Sequence, residues 1–186
     1  DRIMDRFIAR AVELTSADKG SIWRLSDDGQ DLIPTALAGM PAGFVTQWKA
    51  QRFARSDQPL SAEALRTRKP VAIPDAAGDP RTDKTALQMF GERALLVVPI
   101  ISGGQELGTL FLNNVYPRER HTPREIEIAQ LIASQAGAAM RLSGLFDTSE
   151  RGRRDMESAL RQFGDILAAG SDPAAAIESL AALAEQ

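Results

Sequence analysis

The fold is decided by the stretch ALLVVPIISGGQELGTLFLN, residues 94–113. Residues 94–101 form the most strand-like segment of the chain, and residues 107–113 continue the pattern after a short turn. The turn, Ser102-Gly103-Gly104-Gln105, contains two adjacent glycines, which readily adopt the positive φ angles that a tight hairpin requires. The stretch therefore predicts a β-hairpin.

The second strand of this hairpin has two distinct faces. Because side chains alternate along a strand, Phe111 and Asn113 share one face, and Gly108, Leu110 and Leu112 share the other. Glycine weakens a strand, so we expect Gly108 to be there because a helix approaches closely.

The segments around the hairpin predict an α+β fold. Apolar residues from Ile3 to Leu14 recur at helical spacing, and Thr122-Pro123-Arg124-Glu125 has the form of a capping box that opens a long helix. Between them the sequence predicts strands at 21–25, 32–37 and 71–73, and short helices at 41–53, 62–67 and 85–90. Strands and long helices do not alternate regularly, which excludes a doubly wound parallel sheet and favours a mostly antiparallel one.

The composition of the 186 residues excludes several kinds of site. With no cysteine, the chain cannot form disulfides, thiolate metal sites or a thioether-linked chromophore. One histidine, His121, cannot supply a two-histidine metal motif. A net charge of −3 and a pI near 5.3 argue against nucleic-acid binding. Neither a signal peptide nor a run of about 18 apolar residues is present, which predicts a cytoplasmic fragment without a membrane span.

Four stretches carry a family resemblance. They are ADKGSIW at 17–23, VAIPDA at 71–76 followed by DPR at 79–81, the hairpin with LGTL at 107–110, and the helix from Thr122-Pro123 through IASQA at 132–136. In this order and at these separations they resemble the GAF sensory domain family. The resemblance implies a PAS-related central antiparallel sheet, terminal helices on one face, and short helices and loops on the other that enclose a small-molecule pocket.

The sequence limits which of the ligands known for this family the chain could bind. Without cysteine, covalent bilin attachment and thiol-dependent reduction of methionine sulfoxide are excluded. Haem would have to use His121, which we expect to be a solvated loop side chain at the rim, so haem is not favoured. The cyclic-nucleotide signature is matched poorly, because Val115 follows Asn114 where lysine is expected. A cyclic nucleotide is therefore permitted by the fold and not supported by the residues.

The candidate ligand pocket comprises aromatic and polar residues of the middle segment and the last strand. Each of them could equally belong to the core or the rim, and the sequence does not say which sheet face meets the pocket. Pro74 and Pro80 bracket a surface loop that either lies over a ligand or only ends a strand. The candidates are Trp48, Phe53, Ser61, Asp75, Phe90, Phe111 and Asn113.

The long helix is predicted to transmit the state of the domain to an output domain. From Ile128 onward, nine of twelve heptad a and d positions are apolar, which is typical of a coiled-coil seam. Its first half could instead pack only on the sheet, but residues beyond 146 need a partner helix, most simply that of a second chain. The predicted dimer and signalling residues are Leu142, Leu145, Met156, Phe163 and Ile166.

These observations predict three segments. Residues 1–146 would form the GAF domain, 147–170 a helical linker, and 171–186 the start of a following domain, possibly a second GAF domain. We predict a non-enzymatic sensory domain of a bacterial signal-transduction protein such as a sensor histidine kinase of a two-component system. It would bind an unidentified small molecule and relay its state as a homodimer to an output domain. The alternative is a ligand-free dimerisation and spacer module, in which Trp48, Phe53 and Phe90 fill the middle of the fold.

Overall fold

The computed structural model describes residues 2–118 and 121–144. Its central hairpin pairs strand β5 (Ala94–Ser102) with β6 (Gln105–Asn114) in antiparallel register. Gly103 and Gly104 have φ angles of 56° and 80°, the left-handed conformation that the sequence predicted for this turn. The hairpin prediction is confirmed.

All strand pairs in the sheet are antiparallel. The order across the sheet is β3-β2-β1-β6-β5-β4, so the hairpin strand β6 lies beside β1 at the centre. The other strands are β1 (Lys19–Leu25), β2 (Asp31–Ala38), β3 (Phe53–Ala54) and β4 (Val71–Ile73).

Helices flank this sheet along the described chain. They are α1 (Arg2–Thr15), α2 (Ala42–Lys49), α3 (Pro59–Thr67), α4 (Lys84–Phe90) and α5, described over residues 123–144. The prediction that the helix at 41–53 extends to Phe53 is wrong. Helix α2 ends at Lys49, and Phe53 pairs with Leu32 across the short β2–β3 ladder.

The two terminal helices pack on one face of the sheet. One buried cluster contains residues of both helices and of the sheet. They include Met4, Ile8 and Ala11 of α1, Ala129, Ile132, Ala133 and Ala136 of α5, and Ile22, Leu110 and Leu112 of the strands. Helix α5 begins with the predicted capping box, in which the Thr122 backbone N–H donates to Glu125 Oε2 at 2.8 Å and the Glu125 N–H to Thr122 Oγ1 at 3.3 Å. The sheet face occupied by Leu110 is therefore the helix-covered one, which leaves the Phe111 face for the short helices.

The prediction that a helix approaches Gly108 closely is wrong. A Cβ on Gly108, whose φ is 157°, would overlap the backbone carbonyl oxygen of Trp23 in the neighbouring strand β1, so a strand and not a helix approaches it. The close helix contact is at Gly20, where a Cβ would lie 2.7 Å from Ile8 and 2.8 Å from Val12 of α1.

His121 is buried, which corrects the prediction of a solvated side chain at the rim. Only 7% of the residue is exposed. The Arg118 backbone N–H donates to the Pro74 carbonyl, directly after β4, at 2.9 Å, and His121 Nε2 is buried without a hydrogen-bond partner among the described residues. Burial, followed by the nearby Arg118 charge, lowers the pKa of His121.

The chain divides into two compact units, residues 1–141 and 142–186, and the fold above is that of the first. The predicted linker at 147–170 and the predicted domain start at 171–186 lie outside the described residues, as do Leu145, Met156, Phe163 and Ile166. Leu142 is described, and 57% of it is exposed.

Candidate functional site

A cavity of about 390 Å³ lies on the sheet face opposite the terminal helices. Strands β1, β5 and β6 form its floor, and α2, α3, α4 and the loop before α4 form its sides. We call it the sheet-face cavity. It is lined by residues that include Ser21, Trp23, Leu37, Met40, Trp48, Phe53, Asp57, Leu60, Arg81, Asp83, Leu87, Phe90, Glu92, Leu95, Phe111 and Asn113.

Five aromatic rings make up much of the wall. The Trp23 ring centroid lies 4.9 Å from Phe53 and 5.4 Å from Phe111, with the rings tilted. Trp48 lies 5.0 Å from Phe53 and meets Phe90 edge-on at 5.2 Å. Contacts at these distances and angles are favourable between aromatic rings, so the wall is a mostly apolar surface of rings in mutual contact.

Five of the seven predicted pocket residues are brought together here. Trp48, Phe53, Phe90, Phe111 and Asn113 all line the sheet-face cavity. Whether any of them contacts a ligand stays a prediction.

The other two predicted pocket residues, Ser61 and Asp75, are not among its lining. Ser61 is a fully buried residue of α3, with its hydroxyl 3.3 Å from that of Thr109. Asp75 is exposed and pairs with Arg93 at 3.2 Å.

Sequence reasoning missed Trp23, the best-buried ring of the wall. Trp23 is 7% exposed, and its indole N–H donates to Ser21 Oγ at 2.7 Å. A signal was present, because Ser21 and Trp23 alternate with Ile22 along β1 and must share the face opposite to it. Ile22 belongs to the helix-covered cluster, which places Trp23 on the cavity side.

A buried polar pair, Glu92 and Asn113, sits in the cavity wall. Asn113 Nδ2 donates to Glu92 Oε1 at 2.6 Å. Asn113 is 7% exposed and Glu92 is 9% exposed. Burial raises the pKa of the Glu92 carboxyl against the opposing effects of the Asn113 hydrogen bond and the Lys19 charge. Asn113 Oδ1 is also buried and has no hydrogen-bond partner among the described residues. An acceptor left in this state costs about 1–3 kcal/mol of stability.

The loop before α4 forms the cavity's rim and is held by ionic contacts. Arg81 donates to Asp79 Oδ2 and to Glu63 Oε2, each at 2.6 Å. The Arg81 hydrogen bond lowers the pKa of Asp79 to about 2. The Asp83 carboxylate caps α4 by accepting from Thr85 N and Ala86 N, and Lys19 Nζ donates to the Phe90 carbonyl at the other end of that helix. Both ends of α4 are therefore fixed over the cavity.

No group of three or more histidine, aspartate or glutamate side chains in the described part of the chain is placed to hold a metal ion. Within residues 2–118 and 121–144, no helix has the length and apolar character needed to cross a membrane.

The fold thus combines an antiparallel sheet, terminal helices on one face and a partly open cavity on the other. The chain belongs to the GAF domain family, whose sequence profile matches residues 1–140. Domains of this family are sensory and regulatory modules of signalling proteins. No curated protein matches the sequence.

Solved structures share this fold at low sequence identity. A GAF domain from a phosphoenolpyruvate-protein phosphotransferase of Coxiella burnetii is 18% identical, with a TM-score of 0.69, covering 79% of this chain and 85% of that one. The second GAF domain of DevS from Mycobacterium smegmatis is 21% identical, with a TM-score of 0.61 and coverages of 80% and 97%. A domain of a putative two-component sensor histidine kinase from Sinorhizobium meliloti is 18% identical, with a TM-score of 0.61 and coverages of 82% and 96%.

Proposed function

We propose that this chain is a non-enzymatic sensory domain that binds a small molecule in the sheet-face cavity. The observation that carries the proposal is the cavity itself, whose wall is mostly apolar and aromatic. Ligand sites are typically apolar clefts of roughly 300–1,000 Å³ with a few placed polar groups. The cavity, at about 390 Å³, is of this kind.

The ligand-free spacer module is the second candidate, and the cavity counts against it. That alternative requires Trp48, Phe53 and Phe90 to fill the middle of the fold. These three rings pack against each other along the wall and leave the space beside them open.

The signal would leave through the terminal helices of a homodimer in a cytoplasmic two-component protein. Leu14 of α1 and Leu131 of α5 are 42% and 63% exposed although both helices pack on the sheet through other residues. These outward leucines supply apolar surface for a second copy of the chain. A ligand shifts the helix packing only as far as its affinity differs between the two arrangements, and an output domain in the longer protein would respond to that difference.

Purified protein is expected to carry, or to select from a cell extract, a small molecule that raises its thermal midpoint. A ligand that binds the folded state alone must stabilise it, by about 2.7 kcal/mol at a concentration 100 times its dissociation constant. Mass spectrometry of the denatured protein identifies the compound, and thermal denaturation with and without it measures the shift. Midpoints that stay equal across extract fractions and candidate metabolites would contradict ligand sensing and favour the spacer module.

The double variant L14E/L131E is expected to shift the chain from dimer to monomer. Two buried carboxylates per protomer would be desolvated at the helix interface, which costs several kcal/mol in a dimer and little in a monomer. Light scattering after size-exclusion chromatography reports the mass. Tyr116→Glu is the matched control, because Tyr116 is 75% exposed and lies outside the terminal helices. A dimer that survives the double variant unchanged would exclude these leucines from the interface.

A further inference from the structure

We infer that the sheet-face cavity binds an organic cation, a protonated amine on an apolar or aromatic body, with its charge between the aromatic wall and the Glu92 carboxyl. This inference rests on the proposed function and adds the chemical class of the ligand. It follows from the arrangement of the rings, from an accessible carboxylate oxygen and from the charges of the lining.

The aromatic wall borders the cavity from several directions. The Trp23 ring is inclined at 37° to Phe53 and at 41° to Phe111. Trp48 meets Phe90 at 75°. All five rings line the cavity, and rings inclined in this way form a concave surface and not a flat stack.

A concave aromatic surface attracts positive charge. The face of a ring carries partial negative charge and attracts a cation that lies within about 6 Å of the ring centroid. The Trp23 and Phe53 centroids are 4.9 Å apart, and those of Trp48 and Phe90 are 5.2 Å apart. A cation beside this wall can therefore interact with more than one ring at once.

The Glu92 carboxyl has an oxygen to offer to such a cation. Its Oε1 accepts from Asn113 Nδ2 at 2.6 Å, and its Oε2 makes no hydrogen bond with the described residues. In the described part of the chain, the side-chain atoms that are both fully buried and unpartnered are Asn113 Oδ1 and His121 Nε2, so Glu92 Oε2 keeps accessible surface. Because Glu92 lines the cavity and is otherwise well buried, this oxygen is where an ammonium N–H would bind.

The cations of the chain leave this carboxyl without a close counter-ion. Lys19 is the cation that acts on Glu92, but its ammonium donates to the Phe90 carbonyl. Burial has the larger effect and raises the pKa of Glu92. A buried carboxylate is costly unless it is paired, and a cationic ligand would supply the missing partner.

The other charged groups of the lining also favour a cation over an anion. The Arg81 guanidinium already donates to Glu63 and Asp79, each at 2.6 Å. Asp57 and Asp83 add carboxyl groups to the lining. A phosphate or carboxylate entering the described cavity would meet one occupied guanidinium and three acidic side chains.

Three phenyl compounds of similar size test the ligand class on the 186-residue protein at neutral pH. They are the 2-phenylethylammonium cation, the neutral 2-phenylethanol and the 3-phenylpropionate anion, which share one apolar body and differ in charge. Titration calorimetry or chemical-shift titration measures each affinity. We expect the cation to bind at least about tenfold more tightly than either of the other two.

Glu92→Gln is expected to lower the affinity for 2-phenylethylammonium at least about tenfold and to leave that for 2-phenylethanol within about twofold. Glutamine keeps the size of the side chain and an Oε1 acceptor for Asn113, and it removes the charge. Glu127→Gln is the matched control, because it removes the same charge from an exposed position on α5, away from the cavity lining. The control should leave all three affinities within about twofold. If Glu92→Gln fails to fold, the three affinities of the unsubstituted protein still decide.

The outcomes separate the two proposals. Equal binding of the three probes, or tighter binding of the alcohol or the anion, overturns the proposed ligand class and leaves small-molecule sensing in place. An unchanged cation affinity in folded Glu92→Gln, or absence of binding by all three probes at millimolar concentration, also overturns it. Small-molecule sensing falls as well only if cell-extract fractions fail to raise the thermal midpoint.

Discussion

Replacing Gly108 with alanine is expected to lower the free energy of unfolding by about 3 kcal/mol or more. The added Cβ would overlap the Trp23 carbonyl oxygen and lie 2.9 Å from Arg24 Cα, and both are backbone atoms of the central strand β1. The positive φ of 157° adds strain of its own. Strain and overpacking each cost roughly 1–3 kcal/mol. Urea denaturation followed by circular dichroism measures the loss.

Gly91→Ala is the matched control for this prediction. Gly91 also has a positive φ, 63°, but a Cβ added there would meet no atom within 4 Å. It therefore isolates the conformational cost, about 1 kcal/mol. If the two variants lose the same free energy of unfolding, strand β1 must move to accommodate the new methyl group without a loss of stability. Because Trp23 lines the sheet-face cavity, a larger loss for Gly108→Ala should be accompanied by weaker ligand binding.

Local signals explain what the sequence predicted correctly. The Gly103-Gly104 turn and the Thr122–Glu125 capping box each depend on residues within a few positions of one another, and the structure contains both. The alternation of Phe111 and Asn113 against Leu110 is likewise a property of one strand. Such features follow from backbone geometry and need no knowledge of the rest of the fold.

The errors all concern partners that are distant in the chain. Gly108 was expected to face a helix, because a glycine in a strand indicates a close neighbour without indicating which one. His121 was expected at the rim, but it is buried, and Arg118 just before it hydrogen-bonds to Pro74, which directly follows the distant edge strand β4. Glu92 follows Gly91 in a turn and would normally be exposed, and only its bond to Asn113 reveals its place in the cavity wall.

The second large effect is expected from the double variant E92M/N113L, which should stabilise the fold. It removes the buried acid and the unpartnered Asn113 Oδ1 together and replaces both side chains with apolar ones of similar size. Replacing both partners avoids leaving a new orphaned group, so we expect a gain of about 1–2 kcal/mol.

The stability gain is expected to grow with pH. The folded-state pKa of Glu92 is raised above its ordinary value of 4.5, so its neutral form is favoured in the fold. Its contribution to stability is fully present below pH 4.5 and is lost as the pH rises through the raised pKa. The wild type therefore weakens over that interval and E92M/N113L does not, which urea denaturation at pH 4, 6 and 8 would show.

The exposed pair E127M/Q130L on α5 provides the control, since substitutions at such positions usually change stability by less than about 0.5 kcal/mol. A stability loss would mean that Asn113 and Glu92 hold the wall together. The expected gain would show that the buried acid and the unpartnered acceptor are kept at a cost to the stability of the fold.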